Sequence, residues 1–131
     1  HITVASAHRS PDRVRQLVEN APAHGVKIFI VGAGAAAHLG GVVAAHSTLP
    51  VIGVPIDSSP LKGWDALLAT VQMPPGVPVA TVSVGNAGAT NAAVLAAQIL
   101  AIADENIATA LGEYKKKLAA KVEQAAAKVE S

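Results

Sequence analysis

The feature that most constrains this chain is a regular alternation. Short runs of β-branched and apolar residues give way, again and again, to longer runs rich in small helix formers. Residues 2–5 (ITVA), 26–31 (VKIFIV), 51–54 (VIGV) and 78–84 (PVATVSV) have strand composition and length. Between and after them, residues 11–24, 35–47, 64–72 and 89–101 have helical composition. The first of these helices places Val14, Leu17, Val18 and Ala21 on one face. The helix at 89–101 is apolar enough to predict burial all round. Strand–helix alternation of this kind demands βαβ units, a parallel sheet and right-handed crossovers. The expected fold is therefore α/β, a three-layer sandwich with a parallel flavodoxin-like sheet.

The last segment breaks the alternation. Asp104 can cap a helix over residues 105–130, in which Ile107, Leu111, Tyr114, Leu118, Val122, Ala125 and Val129 recur at three- and four-residue spacing. Lys115, Lys116, Lys117 and Lys121 lie largely off that stripe, interleaved with glutamates, which predicts an amphipathic helix with a solvated face. Neither repeat nor linker divides the chain. Residues 1–131 read as a single domain with 104–130 as a C-terminal helical tail.

Charge narrows the partners. A net charge of +1 argues against a general nucleic-acid or membrane-surface binder, and no apolar run is long enough to span a bilayer. Between Val26 and Ala103 the only charged residues are Lys27, Asp57, Lys62 and Asp65. A monomer this small has too much surface to cover with so few charges, so the middle section is expected to face other copies of the chain. The absence of cysteine fits a reducing compartment, the cytoplasm.

In a parallel sheet every strand ends on one edge, where α/β proteins keep their chemistry. That edge should receive Ser6-Ala7-His8-Arg9, Gly32 through His38, Pro55-Ile56-Asp57-Ser58-Ser59 and Gly85-Asn86-Ala87-Gly88. Ser10 and Pro11 suit the N-cap and first turn of a helix, so His8 and Arg9 fall on a strand-to-helix loop. Arginine there suits a phosphate, histidine suits proton transfer near neutral pH, and glycines let a ligand approach backbone N–H groups. Each signal alone is weak. Gly32-Ala33-Gly34 lacks the third glycine of a dinucleotide fingerprint, since residue 37 is alanine. His8 and His38 could share a metal, but no further ligand has suitable spacing, so no metal is expected.

Together these stretches carry a resemblance. SAHRSPDRV (6–14), GAGAAAHLGGVVAA (32–45), LPVIGVP (49–55), LKGWDALLATVQMPPGVPVATV (61–82) and NAGATNAAVLAAQIL (86–100) are similar, in order and spacing, to class I PurE. That family is the N5-carboxyaminoimidazole ribonucleotide mutase of purine biosynthesis. The resemblance implies an octamer of flavodoxin-like subunits and a reaction without metal, ATP or organic cofactor. It implies a small ribonucleotide substrate, His8 as general acid/base and Arg9 on the ribose phosphate. It further implies a substrate lining made of Ser6, Ala33, Gly34, Ala35, His38 and Leu39. A non-catalytic phosphoribosyl-ligand binding or assembly subunit, and a PurE-like carboxylase acting on another heteroaromatic ring, are the alternatives.

Three departures from the family pattern bear on this. Ala35 stands where the family has glycine, a costly change if φ must be positive there, and Gly40 stands where it has proline. The family's opening strand and its phosphate-binding Gly-Ser-x-Ser-Asp loop have no counterpart. The expectation is that an N-terminal βα unit of about 30–40 residues is missing from this chain. The sheet would then have a gap near its centre, and the chain alone would bind substrate poorly.

Overall fold

The computed structural model describes residues 1–130. Its elements are α1 (Pro11–Asn20), a 3₁₀ turn at Pro22–His24, β1 (Phe29–Gly34), α2 (Leu39–Ala45), β2 (Val51–Ile56), α3 (Trp64–Val71), β3 (Ala80–Thr81), α4 (Gly85–Ala101) and α5 (Glu105–Glu130). The three strands form one parallel sheet in the order β1-β2-β3. Register runs from Phe29 opposite Val51 to Gly34 opposite Ile56, and from Ile52 opposite Ala80 to Gly53 opposite Thr81.

Successive residues of β2 point to opposite faces of the sheet. The space a side chain would fill at Gly53 is taken by Thr70 of α3, whereas Val54 reaches Gly88 of α4. Hence α3 and α4 lie on opposite faces, which makes the three layers of a flavodoxin-like sandwich. On the Gly53 face, Val14 and Val18 of α1, Val31 of β1, Val43 of α2, Val51 of β2 and Val79 close into one buried cluster. Their burial supplies the main driving force for docking α1 and α2, at roughly 1.5–3 kcal/mol per fully buried side chain.

The chain divides into two compact units, residues 1–93 and 94–131. The first holds the sheet, α1 to α3 and the first half of α4. The second holds the rest of α4 and all of α5, the amphipathic helix expected over 105–130. Asp104 caps α5 as expected, its Oδ1 accepting from the N–H groups of Asn106 and Ile107 at 2.9 and 3.2 Å.

Several boundaries differ from those expected. β1 begins three residues later and runs through Gly32-Ala33-Gly34, so α2 cannot start until Leu39. β3 is only two residues long: Pro78 has no N–H to give, and β3 is an edge strand. Residues 85–88 are the first turn of α4 rather than a loop. Nor is α4 buried all round. Gly88 and Ala92 are its buried residues, while Asn91 and Ala93 are exposed.

The largest correction concerns residues 2–5, which form no strand. Ile2 is 98% and Val4 86% exposed. Arg13 ties the segment down instead, donating from Nε to the Val4 carbonyl at 3.0 Å and from NH2 to Thr3 Oγ1 at 3.0 Å. A strand exists only by pairing, and among the described residues nothing pairs with this segment.

Candidate active site

The C-terminal ends of β1 and β2 and the Ser6–Ser10 loop supply the site. That loop is closed locally. Ser10 donates from its N–H (3.0 Å) and from Oγ (3.2 Å) to the Ser6 carbonyl, and its Oγ accepts from the Ser6 N–H at 2.9 Å. Ser10 therefore occupies the N-cap position of α1 but spends its hydroxyl backwards on the loop, not on the helix. Ser6 Oγ in turn accepts from the Arg9 N–H at 3.1 Å. These bonds present His8 and Arg9 at the tip of a rigid turn.

On the other side, β1 ends at Gly34 and Ala35 adopts φ = 52°, a left-handed conformation that costs an L-residue roughly 1–2 kcal/mol. Two tight turns follow, with the N–H of Ala37 bonded to the carbonyl of Ala35 and that of His38 to Ala36, both at 2.8 Å. Ala37 is buried, which anchors the loop, and His38 emerges at the N-cap of α2 with Leu39 half-buried behind it.

The two loops meet at their histidines. His8 Nε2 lies 2.8 Å from His38 Nδ1, with the rings 4.9 Å apart and nearly perpendicular. Thirty positions separate these residues in sequence: His38 follows the C-terminal end of β1, whereas His8 follows no strand and precedes α1, which docks through Val14 and Val18 in the valine cluster. Both side chains are exposed. Arg9, next to His8 in sequence, is exposed as well, and its guanidinium bonds to no other residue among those described.

Of the residues expected at the site, His8, Arg9 and His38 project from the two loops. Ala33, Gly34 and Ala35 form the end of β1 and the turn behind His38. The Ser6 hydroxyl is engaged in holding the turn. No group of three or more His, Cys, Asp or Glu residues placed to hold a metal occurs among the described residues.

Two residues that the sequence places at this edge without a role, Asp57 and Ser58, also belong to the surroundings of these loops. Ser58 Oγ stands where a side chain at Gly34 would be, so glycine there is what admits the β2–α3 loop to the site. Asp57 packs against Gly63, which has φ = 86°, and its Oδ1 lies 3.6 Å from the position a Cβ on Gly85 would take. The available signal was the pairing of a polar Asp-Ser-Ser loop with a glycine at an adjacent strand end.

The model of the AIR carboxylase family matches residues 1–121. The chain is 57% identical over 112 residues to the N5-carboxyaminoimidazole ribonucleotide mutase of Bacillus subtilis, covering 86% of this chain and 69% of the relative. It is 50% identical over 129 residues to the mutase of that name from Thermotoga maritima, covering 98% of this chain and 74% of the relative. Among solved structures, Treponema denticola PurE superposes with a TM-score of 0.80 at 26% identity, covering all of this chain (100%) and 80% of that one. Family model, relatives and fold agree, and this chain belongs to the AIR carboxylase family.

Proposed function

We propose that the protein carrying this chain is an N5-carboxyaminoimidazole ribonucleotide mutase, an isomerase of purine biosynthesis, with His8 as its general acid/base. The observation that carries the proposal is His8 itself. It is a solvent-facing imidazole on a hydrogen-bonded turn, next to an arginine in sequence and in contact with a second histidine, in a chain 57% identical to a protein of that name.

The chemistry asks for little else. The N–C bond of the carbamate breaks and releases CO₂, and His8 protonates the departing exocyclic nitrogen. Carbon 4 of the imidazole then attacks CO₂ to form the new C–C bond. The proton left on carbon 4 passes to His8 and restores the aromatic ring. One proton goes to the nitrogen and one, originally on carbon 4, is taken up by His8, so the count closes without an external oxidant, reductant or metal. A side chain positioned for such transfers contributes about 10²–10⁴-fold in rate.

Arg9 is assigned to the ribose phosphate, since a guanidinium offers paired donors to phosphate oxygens. Ser6, Ala33, Gly34, Ala35, His38 and Leu39 are assigned to the substrate lining. Their small apolar members would retain CO₂ and keep water out. The cysteine-free, weakly charged chain is assigned to the cytoplasm and to an octamer. Leu61, Trp64, Leu68 and Val71, all exposed on and before α3, offer an apolar face for such assembly.

An absorbance assay of aminoimidazole ribonucleotide interconversion tests the activity. Carboxylate-labelled substrate in excess unlabelled bicarbonate tests the route. Turnover with the label retained in product is expected. Turnover that exchanges the label completely would replace the mutase by a carboxylase using free CO₂, and no turnover with either substrate would remove the assignment.

A further inference from the structure

We propose that His38 is a positioning residue for His8: the two imidazoles share one N–H, and that shared proton fixes which nitrogen of His8 faces the substrate. The proposal rests on the role assigned to His8 above and departs from it by making His38 act through His8 and not on substrate alone.

The geometry carries it. Two ring nitrogens at 2.8 Å are in hydrogen-bond contact, and neither could approach the other with two lone pairs or with two protons between them. One N–H therefore lies in the gap, whichever ring owns it. If His8 Nε2 donates, His8 Nδ1 is left as a lone pair and His38 Nε2 carries a hydrogen. If His38 Nδ1 donates, the outer pattern reverses. In both arrangements the neutral pair presents one base and one acid on its two outer nitrogens. Neither His8 Nδ1 nor His38 Nε2 makes a hydrogen bond among the described residues, so both are open to a ligand.

The surroundings leave this role to His38. A catalytic histidine usually has its ring held by a carboxylate or a backbone carbonyl hydrogen-bonded to its second nitrogen. His8 has neither. The charged side chain next to it in sequence is Arg9, which donates only, and among the described residues no carboxylate lies within ion-pair distance of either ring. His38 also arrives by a conformationally costly route, through Ala35 at φ = 52° and two successive tight turns. Without the contact, the His8 ring would turn freely on its exposed loop and offer either nitrogen outward.

The test uses His38→Ala, which removes the partner, and His38→Asn, whose amide lies near the former Nδ1 position and can donate or accept but cannot titrate. Steady-state turnover by His38→Ala is expected to lose about 10- to 100-fold in kcat with KM within roughly twofold. His38→Asn should recover kcat to within about threefold of wild type. In parallel, protein with ¹⁵N-labelled imidazoles should show one bridging N–H proton protected from solvent exchange, absent in His38→Ala. A rise in KM with unchanged kcat would make His38 a substrate contact only. Equal damage from Asn and Ala, or a bridging proton that is missing in wild type or survives His38→Ala, would also overturn the proposal. If wild type turns over no aminoimidazole ribonucleotide, the functional assignment fails, while the bridging-proton measurement still decides whether the pair exists.

Discussion

Arg9 is assigned above to the ribose phosphate, and its side chain bonds to nothing else described, so its loss should cost the fold little. Arg9→Ala is expected to raise KM by one to two decades with little change in melting temperature, because a charge-assisted contact to phosphate is worth about 1.5–3 kcal/mol. An unchanged KM would put the phosphate elsewhere. Ala35 makes the opposite case, a residue whose effect is on stability. Its φ of 52° is a conformation glycine adopts without strain, and glycine is what the family pattern has there. Ala35→Gly should relieve the strain but give back some unfolded-state entropy, for a net stabilisation of up to about 1 kcal/mol in denaturant unfolding. A destabilised Ala35→Gly would mean that the loop gains more from the methyl group than it loses in strain. The sequence marks the residue and the condition, but the sign of φ belongs to the tight turns that join β1, ending at Gly34, to α2.

At the scale of elements, the alternation of apolar runs made the parallel sheet and its helices legible. It failed where pairing decided the outcome. Residues 2–5 have strand composition, yet a strand needs a neighbour, and composition cannot tell whether one is present. β1 shows the complementary defect. Its outer edge has no ladder partner among the described residues, and Ile30 is 49% exposed on the face away from α1 and α2. A chain extended by a βα unit that pairs with this edge is expected to melt at a higher temperature and to protect the β1 amides from hydrogen exchange. Unaltered exchange at β1 would show that the edge stays open. α2 offers a smaller test. Gly40 lies in its first turn, where an added Cβ would meet Val79 Cγ1 at an ordinary 3.5 Å. Gly40→Ala should therefore stabilise by roughly 0.5–1 kcal/mol through helix propensity, and a loss of stability would reveal a hidden need for glycine.

For the whole molecule, the scarcity of charge between residues 26 and 103 acquires a location. α3 turns Trp64, 67% exposed, and Leu68, 51% exposed, outward together with Leu61 and Val71. An unpaired charge buried in an assembly contact is costly. Leu68→Glu is accordingly expected to lower the sedimenting mass of the protein at micromolar concentration, and an unchanged assembly would place the contact on another face. What most of the site needed from the structure was this same long-range information. Histidines thirty positions apart could each be suspected from their loops, but their contact depends on how α1 docks in the valine cluster. The proton chemistry of carboxylate transfer is assigned to His8, and ATP-free interconversion of the two carboxyaminoimidazole ribonucleotides by wild type and by His8→Asn, side by side, tests that assignment, with ligand affinity measured on both. Wild-type turnover is expected, with a loss of at least about 10²-fold in His8→Asn and affinity nearly unchanged. A His8→Asn protein that keeps more than about a tenth of the wild-type rate would contradict it, because another group would then be moving the proton.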